Sequence, residues 1–301
     1  MTRMSRVSER VNPRSRGIDA KTTAEVLKII NAEDGRVAAA VAEELADVSR
    51  AVEMAVSTLG GGGRVFLVGA GTSGRLCVLE AAEIPPTYGL DPERFKAVIA
   101  GGREAVFRSV EAAEDDAEAA EKELTRLGVD EGDMVVGVSA SGSTPYVLGA
   151  VRHARSLGAP TVGVTNNADT PLSALVDVAI EAVVGPEVVA GSTRMKAGTA
   201  QKMILNMLST AAMVKLGLVH DGYMVGVQAT SRKLLERSIA MLTEITGVEE
   251  TEARRLLEAA DGDVRVAALL ALTEMTTDEA RASLAEWVSL REALEKRGVE
   301  T

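Results

Sequence analysis

Five short apolar runs in the first two thirds of the chain alternate with segments of helical periodicity. The runs predict buried strands at residues 64–68, 95–100, 134–138, 161–164 and 178–184. Between them, apolar residues recur at helical spacing, and turns rich in glycine or serine follow several of the strands. This order predicts an α/β fold, with a parallel five-stranded sheet flanked by helices in a three-layer arrangement like that of flavodoxin or Rossmann proteins.

The two ends of the chain lack this alternation. Residues 1–17 are polar and predict an arm, and helical spacing then runs from Thr22 to the glycines at 60–63. Long helical segments are predicted from about 195 to 241, and three short helices at 249–260, 263–273 and 277–296. We therefore expect three parts: an arm with helices packed on the core at 1–55, a ligand-binding domain at 56–240 and a helical module at 244–301.

Composition and charge narrow the function classes. The chain has 33 basic and 44 acidic residues, a net charge of −11, and only 2% aromatic residues, which argues against DNA or RNA as a partner. No apolar run approaches the roughly 18 residues of a membrane-spanning helix, so we expect no membrane partner and a cytoplasmic location. Two histidines and one cysteine leave most proton chemistry to Glu, Asp, Lys and hydroxyl groups.

The first candidate binding loop, residues 69–74, has the pattern G-x-G-x-x-G between a strand and a helix. A dinucleotide site would also want an acidic residue closing the second strand, but that strand ends in Ala100-Gly101-Gly102. Glycines and amides at a helix N-terminus suit a phosphate or another anion, with Gly71, Thr72 and Ser73 as candidate contacts. The alternative is a tight turn without a ligand.

The second candidate loop follows the third strand and is rich in hydroxyl groups. Its candidate contacts are Ser139, Ser141, Gly142, Ser143 and Thr144. Pro145 suits the first position of the next helix, with Thr144 as its N-cap, so capping alone is the alternative explanation. Two such loops in one parallel sheet favour a ligand, because ligands bind beyond the carboxyl ends of the strands.

A third segment, residues 185–199, places a local cationic spot in an acidic protein. Its candidate substrate contacts are Glu187, Ser192, Arg194 and Lys196. A solvated turn is the alternative.

Carboxylates are the candidate acids and bases. Glu83 precedes Pro85-Pro86, which are predicted to end its helix, and the negative end of a helix dipole favours a protonated carboxyl, as a general acid needs. Nine helical residues separate it from Gly74, about 13 Å, which suggests a site shared between the subunits of a homodimer. Glu111, Glu114, Glu118 and Glu121 are predicted to share one helical face, for which solvent exposure is the simple explanation. We expect His153 and His220 to be structural or surface residues, and Cys77 to pack against the sheet.

Several of these motifs together resemble the sugar isomerase (SIS) family, and within it the N-acetylmuramic acid 6-phosphate etherases. The resemblance spans nearly the whole chain, including a C-terminal module similar to the ubiquitin-associated (UBA) three-helix fold. The stretches that carry it are Ser8–Pro13, Gly69–Leu76, Ala82–Gly89, Ser139–Tyr146, Gly185–Val189, Gly191–Lys202 and Leu205–Thr210.

The resemblance implies a carbon–oxygen lyase that cleaves the D-lactyl ether of a phosphorylated amino sugar, N-acetylmuramic acid 6-phosphate, in cell-wall recycling. The products would be N-acetylglucosamine 6-phosphate and D-lactate, formed by elimination from the open-chain aldehyde and addition of water. Glu83 would be the acid and Glu114 a second acid/base. No metal or redox cofactor is implied.

The chain also departs from this family. Residues 217–226 lack the family's usual Asn and Asp, Cys77 stands in place of a usual Gly, and Glu80 in place of a usual Asp. Two other readings therefore stay open: a sugar-phosphate isomerase or an etherase for a different substituent, and a non-catalytic sensor resembling the glucokinase regulatory proteins. A pair of acid/base carboxylates favours an enzyme over a sensor.

Overall fold

A computed structural model describes residues 6–110, 112–227, 232–284 and 288–299. The chain divides into two compact units. The first comprises residues 1–81 and 93–209, and the second comprises residues 82–92 and 210–301.

The described residues of the first unit form the predicted parallel five-stranded sheet. Its strands are β1 (Val65–Gly69), β2 (Phe95–Ile99), β3 (Met134–Val138), β4 (Thr161–Thr165) and β5 (Val178–Glu181). Their order across the sheet is β2-β1-β3-β4-β5, and all four pairings are parallel. β1, β3 and β4 are buried along their whole length, which explains why they read as continuous apolar runs.

Helices flank this sheet, as predicted. The helices that begin in the first unit are α1 (Thr23–Asp34), α2 (Val37–Ala42), α3 (Leu45–Gly60), α4 (Gly71–Tyr88), α5 (Gly102–Phe107), α6 (Ala117–Arg126), α7 (Pro145–Ser156) and α8 (Lys196–Lys215), of which α4 and α8 end within residues of the second unit. Helix α7 packs against β1, β3 and β4 with α6 beside it, while α3 packs against β1, β3 and β5. The core on the α7 side contains Phe66 and Val135 of the sheet and Val147 and Val151 of α7.

The helical block predicted at 103–127 is interrupted. Helix α5 ends at Phe107, a 3-10 turn spans Ala113–Asp115, and α6 begins only at Ala117. Ala112 has a left-handed backbone (φ 60°), which an α-helix cannot contain, and the extended Asp116 caps α6 by accepting a hydrogen bond from the Ala119 N–H at 2.9 Å. Glu114 therefore lies in the turn and not on the α6 face with Glu118 and Glu121, while Glu111 lies outside the described residues.

Helix α4 does not end before its two prolines. It runs through Pro85 and Pro86 to Tyr88, and the Gly89 N–H closes the last turn on the Pro85 carbonyl at 2.9 Å. Proline cannot donate a hydrogen bond, but its fixed φ is helical, so the chain keeps its helical path here. The prediction that Glu83 stands at the end of its helix is wrong.

The second unit contains five further described helices. They are α9 (Arg232–Thr246), α10 (Glu250–Ala259), α11 (Val264–Leu272), α12 (Thr277–Ser283) and α13 (Leu290–Glu295). Leu242, Leu257 and Leu269 lie in one apolar core that α9, α10 and α11 share. The single helix predicted at 277–296 is two helices, because Ser289 starts a new one through a capping box with Glu292. None of the described helices is both long and apolar enough to cross a membrane.

Candidate active site

The first two candidate loops meet at the point where the sheet topology reverses. β1 lies between β2 and β3, so the chain leaves β1 toward one edge of the sheet and later continues from β3 toward the other. In the parallel register Gly69 pairs with Val138, which brings loops 69–74 and 139–144 side by side at the carboxyl ends of the strands. In doubly wound sheets this switch point is where ligands bind.

The first loop is so tight that only glycine fits at two of its positions. A Cβ atom at Gly69 would lie 2.7 Å from the Gly74 nitrogen, and one at Gly74 would lie 2.6 Å from Cγ1 of Ile99. Helix α4 begins at Gly71, within the segment predicted as a loop, and Gly71, Thr72 and Ser73 form its first turn. Backbone N–H groups of a first turn have no acceptor within the helix, so they are available to an anion.

The second loop is a connected set of hydroxyl groups. The Ser139 hydroxyl lies 2.8 Å from that of Thr144 and 3.3 Å from that of Ser141, and the Ser141 hydroxyl lies 3.2 Å from that of Ser143. Thr144 and Pro145 do occupy the N-cap and first positions of α7, but the Thr144 side chain makes no capping hydrogen bond. The hydroxyl groups therefore bond to one another instead of capping α7, an arrangement suited to a polar ligand.

The charged residues of the third segment differ in burial. The buried Glu187 carboxylate accepts hydrogen bonds from the backbone N–H groups of Lys196 (3.0 Å) and Ala197 (2.9 Å), at the start of α8. Burial raises the pKa of Glu187, although these two N–H groups and the Lys196 charge act in the opposite direction. Lys196 is buried, whereas Arg194 is exposed and Ser192 half-buried.

The N-terminal arm holds two of these loops, a role that the sequence did not reveal. Asn167, just after β4, donates hydrogen bonds from Nδ2 to the Ala140 carbonyl (2.8 Å) and to the Ser8 hydroxyl (3.1 Å). The Gly191 N–H donates to the Ser8 carbonyl at 3.2 Å. Ser8 thus connects the serine-rich loop to the third segment.

The two candidate catalytic carboxylates lie in different units. Glu114 is exposed in its 3-10 turn and lines a cavity of about 280 Å³ together with Gly71 and Arg75. The structure thus brings Glu114 to the first loop, although Glu114 follows Gly74 by 40 positions in the sequence. Glu83 is exposed on α4 within residues 82–92, which belong to the second unit.

Another carboxylate of α4, Glu80, has a structural role. It is buried and accepts hydrogen bonds from Asn206 Nδ2 (2.5 Å) and from the Ser209 hydroxyl, both on α8. Glu80 thereby fixes α4 against the neighbouring part of α8. Asn206 and Ser209 lie in the stretch Leu205–Thr210 that resembles the etherases, but the sequence does not show that Glu80 is their partner.

The cysteine is buried, as predicted, and each histidine has a defined environment. Cys77 is fully buried, and desolvation raises the pKa of its thiol. His153 contacts the Thr125 hydroxyl at 3.1 Å, and burial lowers the pKa of His220. Within the described ranges, no three His, Cys, Asp or Glu side chains are grouped as metal ligands would be.

Three family descriptions match the chain. Residues 35–155 match the glucokinase regulatory protein N-terminal SIS domain, residues 112–211 the SIS domain and residues 236–275 a UBA-like domain. The fold is similar to that of a phosphoheptose isomerase from Francisella tularensis, with a TM-score of 0.51 and 19% identity over 65% of this chain and 100% of that one.

Relatives of higher identity cover almost the whole chain. An N-acetylmuramic acid 6-phosphate etherase of Salinibacter ruber is 50% identical over 92% of this chain and 89% of its own. One from Salmonella dublin is 49% identical over 96% of this chain and 98% of its own. Similarity of this extent, over a chain whose fold carries both loops at its switch point, shows that the protein belongs to the N-acetylmuramic acid 6-phosphate etherase family.

Proposed function

We propose that the protein cleaves the D-lactyl ether of N-acetylmuramic acid 6-phosphate and releases N-acetylglucosamine 6-phosphate and D-lactate. The observation that carries this proposal is the identity of about half of all positions with etherases along nearly the entire chain. The two anion-suited loops at the sheet's switch point support it independently, since the substrate carries a phosphate. The reaction would serve cell-wall recycling in the cytoplasm.

The phosphate is held by uncharged groups and one exposed cation. The first-turn N–H groups of Gly71, Thr72 and Ser73 point to one side of it, and the hydroxyl groups of the serine-rich loop supply donors from the neighbouring strand. That loop contributes Ser139, Ser141, Gly142, Ser143 and Thr144. Arg194 and Ser192 contribute from the third segment, which Glu187 and Lys196 support from inside the protein.

Two glutamates carry out the proton transfers. In the open-chain aldehyde a base removes the C2 proton, and the C3–O bond then breaks as an acid protonates the departing lactate oxygen. Water adds its oxygen to C3 of the unsaturated aldehyde and a proton returns to C2. We assign acid assistance to Glu83 and the second acid/base role to Glu114, each worth about 10²–10⁴-fold in rate. The position of Glu114 on the cavity that Gly71 also lines supports its assignment.

We infer a homodimer in which one subunit supplies Glu83 and the other supplies Glu114. Nine helical residues, about 13 Å, separate Glu83 from Gly74 at the end of the first loop. This distance is long for one sugar phosphate to contact both, which motivates the inference. Composite sites of this kind are compatible with the two-fold symmetry of most homodimers.

Incubation of the protein with N-acetylmuramic acid 6-phosphate and an enzymatic assay for D-lactate test the main proposal. We expect stoichiometric D-lactate and N-acetylglucosamine 6-phosphate. A well-folded protein that releases no lactate contradicts the proposal.

The same assay addresses the sensor alternative, which the match of residues 35–155 to the glucokinase regulatory protein domain favours. A sensor would bind the sugar phosphate in calorimetry without consuming it. Turnover at a constant rate over many equivalents of substrate excludes that alternative.

A further inference from the structure

A buried ion pair joins the third segment to helix α1, and the proposed reaction assigns it no chemical step. The Lys196 Nζ lies 2.6 Å from Oε2 of Glu33, and only 1% and 2% of the two side chains are exposed. Lys196 is the first residue of α8 and follows Arg194 by two positions. A buried charge of this kind needs a specific partner, since desolvation is costly for an isolated ion.

Glu33 also connects the arm to this segment. Its Oε2 accepts a second hydrogen bond from Asn12 Nδ2 at 2.8 Å, and its Oε1 accepts one from Arg14 at 3.1 Å. Asn12 Nδ2 additionally donates to the Pro186 carbonyl at 3.1 Å. The Glu33 carboxylate therefore holds both the arm and the start of α8, and Asn12 of the arm in turn holds residue 186.

The geometry leaves Lys196 little capacity to bind a substrate phosphate. Its ammonium group is already neutralised by Glu33 and is shielded from solvent. Its departure would leave a buried carboxylate without its closest cation, which is among the more destabilising changes a protein core can suffer. Arg194, by contrast, is exposed and can meet a phosphate with both arms of its guanidinium group.

We propose that Glu33 and Lys196 are positioning residues: their ion pair fixes residues 185–196 so that Arg194 and Ser192 face the substrate, and Lys196 is not itself a phosphate ligand. The identity of the sugar phosphate rests on the proposed function. The division of roles between Lys196 and Arg194 rests on the contacts of Glu33.

A double-mutant cycle on the full chain tests this. Lys196→Met, Glu33→Gln, the double variant and Arg194→Met are compared with the wild type for binding of N-acetylglucosamine 6-phosphate by calorimetry, and for melting temperature. We expect each single change at 33 or 196 to weaken binding at least about tenfold, and the neutral pair to recover to within about threefold of the wild type.

Arg194→Met should weaken binding without lowering the melting temperature, and adding Glu33→Gln should not rescue it. Lys28→Gln, at an exposed position of the same helix α1, is the control that should change neither measurement.

The conservative variant Glu33→Asp keeps the test decisive if the neutral pair does not fold. It retains the charge but withdraws the carboxylate by one methylene. A positioning role predicts that KM for the etherase substrate rises about threefold while kcat stays within about twofold, because binding is lost without loss of the acid/base groups. If Lys196 is a ligand, its release from Glu33 should instead leave the affinity unchanged or raise it.

Two results overturn the proposal. One is a folded double variant that binds as weakly as Lys196→Met alone, and the other is tighter binding or unchanged KM in Glu33→Asp. Because calorimetry uses the product, a wild-type protein that binds it but releases no lactate contradicts the proposed function and leaves the binding cycle interpretable.

Discussion

Gly142 lies against Thr170 so closely that a Cβ atom at position 142 would be 2.2 Å from the Thr170 Oγ1. Its backbone is also left-handed, with φ 62°, and its carbonyl accepts a hydrogen bond from the Leu172 N–H at 2.9 Å. The serine-rich loop therefore owes its shape to the absence of a side chain at this position.

Gly142→Ala should consequently destabilise the protein and weaken sugar-phosphate binding. Gly128→Ala is the matched control, because Gly128 has the same φ of 62° but a Cβ atom there would have nothing within 4 Å. The control should lose about 1–2 kcal/mol of unfolding free energy from backbone strain alone, and Gly142→Ala about 1–3 kcal/mol more from overpacking. Urea unfolding and calorimetry measure the two effects, and equal losses in both variants would show that the contact with Thr170 is unimportant.

The Glu33 carboxylate should make the protein sensitive to acid. Burial acts to raise the pKa of Glu33, but hydrogen bonds from Lys196, Asn12 and Arg14 outweigh it and lower the pKa from 4.5 to about 2. A depressed pKa contributes stability above the unfolded value, and this contribution is lost as the pH falls from about 4.5 toward 2. The loss should be about 3 kcal/mol at 1.36 kcal/mol per pKa unit.

Unfolding free energies of the wild type and Glu33→Gln between pH 7 and pH 2.5 measure this contribution. Their difference should be largest at pH 7 and shrink below pH 4.5. Glu53→Gln, at an exposed position on α3, serves as the control and should run parallel to the wild type. A difference between wild type and Glu33→Gln that does not depend on pH would contradict the assignment.

The sequence predicted those elements whose position depends on the local pattern of apolar and polar residues. Buried parallel strands such as Met134–Val138 are continuous apolar runs, so their positions followed directly from hydrophobicity. The break at Ala112 was missed because alanine favours a helix, whereas its backbone in the fold has a positive φ. Pro85 and Pro86 misled in the opposite direction. Proline is a strong local signal for the end of a helix, but α4 continues through both prolines to Tyr88.

The buried ion pair illustrates a different limit. Glu33 follows Ile29 and Ile30 by four and three residues, so a charged side chain stands on the apolar stripe of α1, which is a sequence signal for a buried, paired carboxylate. Its partner Lys196 is 163 residues away. Hydrophobic periodicity carries no information about pairing at such a distance, and only the fold reveals it.

Removal of either proposed catalytic carboxylate should abolish most turnover without unfolding the protein. Both Glu83 and Glu114 are exposed, so Glu83→Gln and Glu114→Gln should keep the wild-type melting temperature. Each should lower kcat for lactate release by about 10²–10⁴-fold. Glu118→Gln, at an exposed carboxylate on α6, should retain full activity, and a similar retention by either test variant would remove that glutamate from the mechanism.

A mixing experiment distinguishes a shared site from one within a single subunit. Glu83→Gln and Glu114→Gln proteins are each inactive in the scheme above, and they are unfolded and refolded together in equal amounts. If each site takes one glutamate from each subunit, a mixed dimer contains one site with both glutamates intact and one site with neither. Random pairing makes about half of the dimers mixed, so about a quarter of wild-type activity should return.

Sedimentation velocity of the same samples should show a dimer throughout. Sites contained within one subunit would regain nothing on mixing, because every site would still lack one of its two carboxylates, and an active monomer would exclude the shared site altogether.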